Sequence, residues 1–473
     1  MKLTVHFETL GCKLNQVETE GMASYFSKAG FAVSMTPVTA ETECNHNVIL
    51  TVINTCTVTA KAEQKARRII RLLLLKFPQA AVLVTGCYAQ NNPEEISKLD
   101  KRVCVLGGQL KGKISYLPEF ILAQKELIGC ELAEKINKFF IGKCVSLSNN
   151  SAVESFSLVP SDFLHHSRAS VKIQDGCNCI CTYCAIRIAR GKSVSLDAGK
   201  VIEQIKNIEK SGYNEVVITT VNIAQYESVW NGKKILFAGL LKLILQNTSG
   251  IRIRISSLYP EIVNEELGEI LADSRICPHF HLSVQSGSDK ILAKMKRPYK
   301  IQAVYDACRI LKKVKENPFL ACDIITGFPG ETDEDFNLTL KMLDDCGFSF
   351  VHAFPFSARK GTEAYNMRPM VPNSISKKRV AALEEFNKSA KEKYYSYFFG
   401  KTLYGILENV HKPNLLLKNN IVHVVTDNFL HCRIPVLNGQ NVPSPGSLVK
   451  VKIISSLLGK ENAGEWDLQG ELV

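Results

Sequence analysis

The chain has 473 residues, is 45% hydrophobic and 22% charged, and carries a formal net charge of +12; this is the composition of a soluble globular protein with roughly two to four domains, and the positive balance suits a polyanionic partner. Sixteen cysteines in a chain this long do not make a secreted disulfide scaffold. The segment Met1–Glu8 has no apolar leader core, and the run Ile69–Leu75 is too short and too charged to span a bilayer. The expectation is a cytoplasmic protein, with its thiols reduced and free.

In chain order, Leu3–Phe7 reads as a strand, Gly11–Gln16 as a turn and Glu18–Ala29 as a helix. Val48–Asn54 is a buried strand ending at Cys56, Glu63–Phe77 a basic amphipathic helix, and Ala80–Thr85 a strand ending at Gly86-Cys87. This β-α-β-α-β rhythm predicts a doubly wound α/β sheet. Cys12, Cys56 and Cys87 each fall just past the C-terminal end of a predicted parallel strand, the edge where open α/β sheets gather their ligands. Read jointly, they are three ligands for a cluster; read singly, each is a buried free thiol. Val103–Arg168 carries weak signals. Pro118–Asn137 has helical character, Ser146–Ser167 is Ser-rich, and Cys104, Cys130 and Cys144 read as structural or incidental.

From Ala169 the βα rhythm resumes. Strands are predicted at Ala169–Gln174, Glu215–Thr220, Ile251–Ser256, His279–Ser283, Leu320–Thr326 and Phe350–Phe354, with helices between them that include Ala198–Lys210 and Ile301–Lys315. Six such units make a partial TIM-like (β/α)6 barrel whose chemistry belongs at the C-terminal strand ends. The loop after the first strand, Gln174–Cys184, holds Cys177, Cys179, Cys181 and Cys184. Cys177, Cys181 and Cys184 form C-x3-C-x2-C, which can ligate three irons of a [4Fe–4S] cube and leave the fourth open. With Cys179 added, the loop could instead form a four-thiolate zinc site, although zinc prefers C-x2-C pairs. Lys377–Phe398 is a basic helix. Strand alternation in Thr402–Glu408, Ile421–Val425, His431–Pro435 and Leu448–Ile454 predicts a small OB-like β-barrel. Its charge is nearly balanced, with seven Lys/Arg against six Asp/Glu over Gly400–Val473.

The cysteine loop, with Tyr183 before its last cysteine, resembles the radical S-adenosylmethionine (SAM) superfamily. Thr9–Gln16, Val52–Val58 and Thr85–Gln90 resemble the N-terminal domain of the methylthiotransferases within it, and the resemblance runs over nearly the whole chain. It implies two [4Fe–4S] clusters, an auxiliary one on Cys12, Cys56 and Cys87 and a SAM-binding one on Cys177, Cys181 and Cys184. It implies four domains: residues 1–118 for the auxiliary cluster, 119–162 as a linker region, 163–396 as the radical SAM core and 397–473 as a TRAM-like RNA-binding barrel. By position in the strand ends, Asn222, Ser256, Gln285 and Ser286 become SAM or substrate contacts, with Ser288 reading as a helix cap. Asp323–Thr332 looks like a phosphate loop but lacks the Gly-Lys-Ser/Thr ending, and the resemblance makes it a barrel turn near the adenosyl pocket. Two positions depart from the pattern: Thr220 replaces a glycine before Val221-Asn222-Ile223, and Arg187 replaces a proline.

The implied chemistry is radical attack on an adenine C2–H bond that resists polar substitution. One reduced cluster splits SAM to a 5′-deoxyadenosyl radical, the auxiliary cluster supplies sulfur, and a second SAM supplies methyl. Cys12-Lys13-Leu14-Asn15-Gln16 is nearest to the branch acting on N6-threonylcarbamoyladenosine 37 of tRNA. The alternatives are the isopentenyladenosine branch and, in a different class, a non-catalytic RNA-binding iron–sulfur or zinc protein. The implied partners are the tRNA anticodon stem-loop and an electron donor such as a flavodoxin or ferredoxin, with no membrane and a monomeric enzyme.

Overall fold

The computed structural model describes residues 3–124, 127–146, 155–158, 167–408, 421–436, 442–459 and 466–473. Cys144 has a described backbone only, and parts of the expected linker lie outside the described residues.

The N-terminal sheet is five-stranded and parallel. It consists of β1 (Thr4–Thr9), β2 (Ala32–Ser34), β3 (Val48–Thr55), β4 (Ala81–Gly86) and β5 (Val103–Val105), in the order β2-β1-β3-β4-β5. Every residue of β3, Val-Ile-Leu-Thr-Val-Ile-Asn-Thr, is buried, as expected of a β-branched run with a strand on each side and helices over both faces. Helix α1 (Lys13–Lys28) begins directly after Cys12, earlier than the predicted Glu18. Helix α2 (Ala60–Lys76) is capped by Thr59 and buries Ala66, Ile69, Ile70, Leu73 and Leu74 at helical spacing, leaving its cations outside. The edge strands β2 and β5 are three residues each, too short for a periodic signal.

The region expected as a linker contains the helices Leu117–Ala123 and Gly129–Ser146. Leu132, Ala133, Ile136 and Phe140 of the second pack into the same core as Val5, Phe7 and Leu83. Its apolar stripe thus adds a layer to the N-terminal domain, and Cys104 is a thiol of that core. Cys130 is exposed.

The central domain is a six-stranded open barrel of parallel strands: β6 (Ala169–Lys172), β9 (Glu215–Thr219), β12 (Arg252–Ile255), β13 (His279–Gln285), β14 (Phe319–Thr326) and β15 (Phe350–Pro355). Two three-stranded ladders, β6-β9-β12 and β13-β14-β15, meet where Leu258 N–H donates to the His281 carbonyl at 2.7 Å and Ser283 N–H to the Leu258 carbonyl at 2.9 Å. Between β6 and β9 lies a short ribbon of β7 (Gln174–Asp175) with β8 (Val194–Ser195), and after β9 an unanticipated hairpin of β10 (Glu227–Trp230) and β11 (Lys233–Leu236). The outer helices Ala198–Lys210 and Ile301–Val314 lie where their periodicity predicts.

A long helix, Asn373–Ser396, leads to a closed five-stranded barrel of β16 (Thr402–Leu407), β17 (Ile421–Thr426), β18 (His431–Pro435), β19 (Leu448–Ser456) and β20 (Leu468–Leu472). The closing strand β20 was not anticipated. The barrel plugs the N-terminal mouth of the central strands. Arg254 donates to the Thr426 and Asp427 carbonyls at 3.0 Å each, and Phe429 stacks on His279. Among the described residues no helix is long and apolar enough to cross a membrane.

Candidate functional site

Three strand ends of the N-terminal sheet bring Cys12, Cys56 and Cys87 together. Cys12 is the N-cap residue of α1, Cys56 follows β3 and Cys87 follows β4. A Cβ added at Gly11 would lie 2.7 Å from Cys56 Cβ and 3.1 Å from its Sγ, so the first two loops touch. Gly86, at φ +96°, lets the chain turn into Cys87; a Cβ there would lie 2.4 Å from the Thr55 carbonyl oxygen. Burial pushes the Cys56 thiol up to about 11, with Cys87 and Cys12 adding to the rise. Cys87 is raised by burial against the pull of Arg190 and Lys111.

The second thiol group lies in the loop after β7. Gly176, at φ +66°, turns the chain ahead of Cys177, and a Cβ there would lie 2.0 Å from the Lys192 carbonyl oxygen. Gln174 pins this loop to the next strand end. Its amide donates to the Gly176 carbonyl at 2.7 Å, and its oxygen accepts the N–H groups of Val221 and Asn222 at 3.1 and 2.9 Å. Asn222 Nδ2 lies 3.6 Å from Cys177 Sγ and 3.5 Å from Cys179 Sγ; Gln225 Nε2 is 3.1 Å from Cys179 Sγ and Arg297 Nη1 is 3.4 Å from Cys181 Sγ. Hydrogen bonding from Cys179, with Asn222 or Arg297 assisting against burial, draws Cys177 and Cys181 down to about 6 each, and burial pushes Cys184 up to about 12. Two thiols favouring the thiolate beneath three nitrogen donors form a donor set suited to an iron–sulfur cube, whose sulfurs accept such bonds. No three His, Cys, Asp or Glu side chains among the described residues stand at single-ion spacing. One zinc would need its sulfurs about 2.3 Å from a common point.

Of the other expected contacts, Asn222 reaches the cysteine loop directly and Ser256 lines the central cavity. Gln285 is buried at the C-terminal end of β13 with φ 74°, and the Ser286 hydroxyl accepts the Ser288 N–H at 3.2 Å. Ser288 caps the following helix, as expected. Gly327–Glu331 is not a phosphate cradle, because the Glu331 carboxylate accepts the Gly327 N–H at 2.6 Å and pairs with Arg379 at 2.6 Å. Thr220 adopts no left-handed backbone angle, so its Cβ carries no strain there. Arg187 is exposed in the first turn of the short helix Ile186–Arg190, where a side chain of any size fits.

Arg297 and Gln225 carry no signal in the sequence, and Arg190, which with Gly191 keeps the pattern after the cysteine loop, has no role legible there. Arg190 is the hub of a buried charge cluster between the N-terminal domain and the barrel. Its guanidinium lies 3.1 Å from Glu18, 2.9 Å from Asp175 and 2.7 Å from Asn15 Oδ1. Lys172 reaches Glu18 at 2.8 Å and Asp175 at 2.5 Å, and Lys111 also pairs with Glu18. Burial alone would raise both carboxyls; Arg190, Lys111 and Lys172 hold Glu18 well below its ordinary range, and Arg190 with Lys172 holds Asp175 at about 2. Glu18 lies on the helix that Cys12 caps and Asp175 two residues before Cys177, so this cluster fixes one thiol group relative to the other.

A cavity of about 780 Å³ follows the barrel axis from the β-barrel plug to the Gly11–Leu14 loop. Ser257 Oγ is 3.2 Å from His281 Nδ1, and Asp323 Oδ1 is 3.2 Å from His281 Nε2, which sets an imidazole between two polar groups in the cavity wall.

Residues 171–343 match the radical SAM superfamily, and residues 4–108 match an uncharacterized protein family, UPF0004. A threonylcarbamoyladenosine tRNA methylthiotransferase of Treponema pallidum is 41% identical, over 95% of this chain and 98% of that protein. The chain belongs to the tRNA methylthiotransferase family of radical SAM enzymes. A second relative of that name, from Aquifex aeolicus, is 33% identical over 90% of this chain and 97% of its own. A tRNA-2-methylthio-N(6)-dimethylallyladenosine synthase of Clostridium botulinum is 30% identical over 96% of each chain. Cys12 of the first thiol group lines the central cavity.

Proposed function

We propose that this methylthiotransferase places a methylthio group on C2 of N6-threonylcarbamoyladenosine 37, beside the tRNA anticodon. The observation that carries the reading is the convergence of Cys12, Cys56 and Cys87 at one sheet edge, beside a cavity that also reaches the barrel strand ends. The cofactors are SAM and [4Fe–4S] clusters; the ligands we propose are Cys177, Cys181 and Cys184 for the SAM-binding cluster and Cys12, Cys56 and Cys87 for the auxiliary one. When bound, these groups supply radical cleavage of one SAM, sulfur, and a methyl group from a second SAM.

The chain's own residues orient and exclude. Asn222, Gln225 and Arg297 direct N–H groups at the sulfurs of the cysteine loop. Asn222, Ser256, Gln285 and Ser286 line the strand ends that SAM would meet. His281, between Ser257 and Asp323, is a polar group in the wall of the cavity that would receive the base. The β-barrel closes the far mouth of the cavity against water. For tRNA, exposed Tyr397, Phe399 and Tyr404 stand beside Lys401 and Lys450, with Lys401 Nζ 3.3 Å from the Tyr397 ring centre. Such a patch combines base stacking with phosphate attraction and gives a nearly neutral domain a local RNA surface. An electron carrier of the flavodoxin or ferredoxin class would supply the reducing electron to a monomeric enzyme.

Support for the threonylcarbamoyl substrate comes from the higher identity to the relatives of that name. Anaerobically reconstituted protein should convert tRNA bearing the threonylcarbamoyl group to its 2-methylthio form, read by nucleoside mass spectrometry. Its kcat/KM there should exceed that on isopentenyladenosine tRNA by at least about 100-fold. Equal rates, or preference for the isopentenyl base, would overturn the assignment.

A further inference from the structure

Four cations with long side chains line the central cavity: Lys13, Arg168, Arg254 and Lys391. Three already have partners. Arg168 lies 2.9 Å from Glu408, Arg254 is 2.6 Å from Glu215, and Lys391 is 2.8 Å from Asp467. Lys13 has no ion pair or hydrogen bond among the described residues, and its exposed side chain belongs to the cavity wall beside Cys12. A cation left unpaired in a concave, mainly apolar pocket is a ready counter-charge for an anionic ligand.

We propose that Lys13 binds the carboxylate of the substrate's threonylcarbamoyl group and so selects this base over an adenosine with a hydrocarbon substituent. The inference rests on the function proposed above and deepens it. Chemistry places the carboxylate on the correct side. On the adenine ring N1 lies between C6 and C2, so an N6 substituent folded along the N1 edge carries its acid group toward C2, the atom to be modified. Lys13 follows directly on Cys12, at the thiol edge that C2 would face. A cavity of about 780 Å³ is within the usual range for a ligand the size of a modified base. Ammonium suits this task, since a point charge on a flexible stem can follow an acid group that rotates about several bonds.

The test compares wild type, Lys13→Gln and Lys13→Arg on two anticodon stem-loops. One carries the natural threonylcarbamoyl acid, the other its carboxamide, which has the same shape and no charge. Binding is read by fluorescence anisotropy and turnover by mass spectrometry, with iron content and melting temperature measured alongside. Lys13→Gln should bind the acid stem-loop roughly 10- to 100-fold more weakly, at unchanged iron content, and Lys13→Arg should recover most of that loss. Wild type should discriminate against the carboxamide by a similar factor, and Lys13→Gln should not discriminate. A Lys13→Gln variant that still prefers the acid overturns the inference, as does one that weakens on both stem-loops equally. Wild type that treats acid and carboxamide alike overturns it even if the variants fail to fold. If wild type fails to methylthiolate the natural acid at all, the proposed function itself falls.

Discussion

Alanine at Cys12, Cys56 and Cys87 together is expected to leave a folded enzyme that still cleaves SAM but transfers no sulfur. Each change removes one sulfur atom from a short loop; Cys56 and Cys87 are buried, and Cys12 makes no side-chain cap bond to its helix. The stability cost is then about 1 kcal/mol for each buried site, and the cavity, Asn222, Gln225 and Arg297 stay in place. Iron should fall from about eight to about four per chain, 5′-deoxyadenosine should still form, and the 2-methylthio nucleoside should be undetectable. Any methylthiolated product from this variant would show that the three thiols hold no cluster the reaction needs.

Arg190→Met should be the most destabilising single change at the domain junction. Arg190 is the cation common to Glu18, Asp175 and Asn15, all buried. Without it, Glu18 and Asp175 rely on Lys111 and Lys172 alone. Breaking a buried charge network by removing one member costs about 3–5 kcal/mol, which corresponds to a fall in melting temperature on the order of 10 °C. Arg190→Lys should recover only part, since an ammonium cannot span three acceptors as a planar fork does. The pH dependence follows from the carboxyls. Both are held below their ordinary values, Asp175 at about 2, so the stability they contribute is complete above the unfolded value of about 4 and is lost as pH falls toward about 2. Arg190→Met should flatten that acid limb. A variant melting within about 2 °C of wild type would contradict the assignment of the cluster as the domain clamp.

Much of this architecture is legible in the sequence because its signals are local. Val48–Thr55 announces a central strand by composition, and Cys56 and Cys87 mark the strand ends by following β-branched runs. Six βα units need only helical and strand periodicity, and Ser288 is readable as a cap from the Asp289–Lys294 run after it. Local pattern fails where contacts are distant. Arg297 meets Cys181 across 116 positions and Arg190 meets Glu18 across 172, and no spacing rule joins them. The helix Gly129–Ser146 looked like linker because its apolar stripe is meaningful only against the sheet it covers. β20 is five residues long and closes the barrel by pairing with β18 and β19, so its identity depends on strands far from it. Lys13 was visible as part of a signature, but its place in the cavity wall is a property of the fold.

Iron and acid-labile sulfide on anaerobically reconstituted protein test the central claim most directly, measured on wild type and on a variant with alanine at Cys177, Cys181 and Cys184. Two clusters, each on three cysteines, predict about eight irons and eight sulfides in wild type and about four of each in the variant. Zinc in place of iron, or about four irons in wild type that vanish entirely in the variant, would leave Cys12, Cys56 and Cys87 without a cluster and contradict sulfur insertion by this chain.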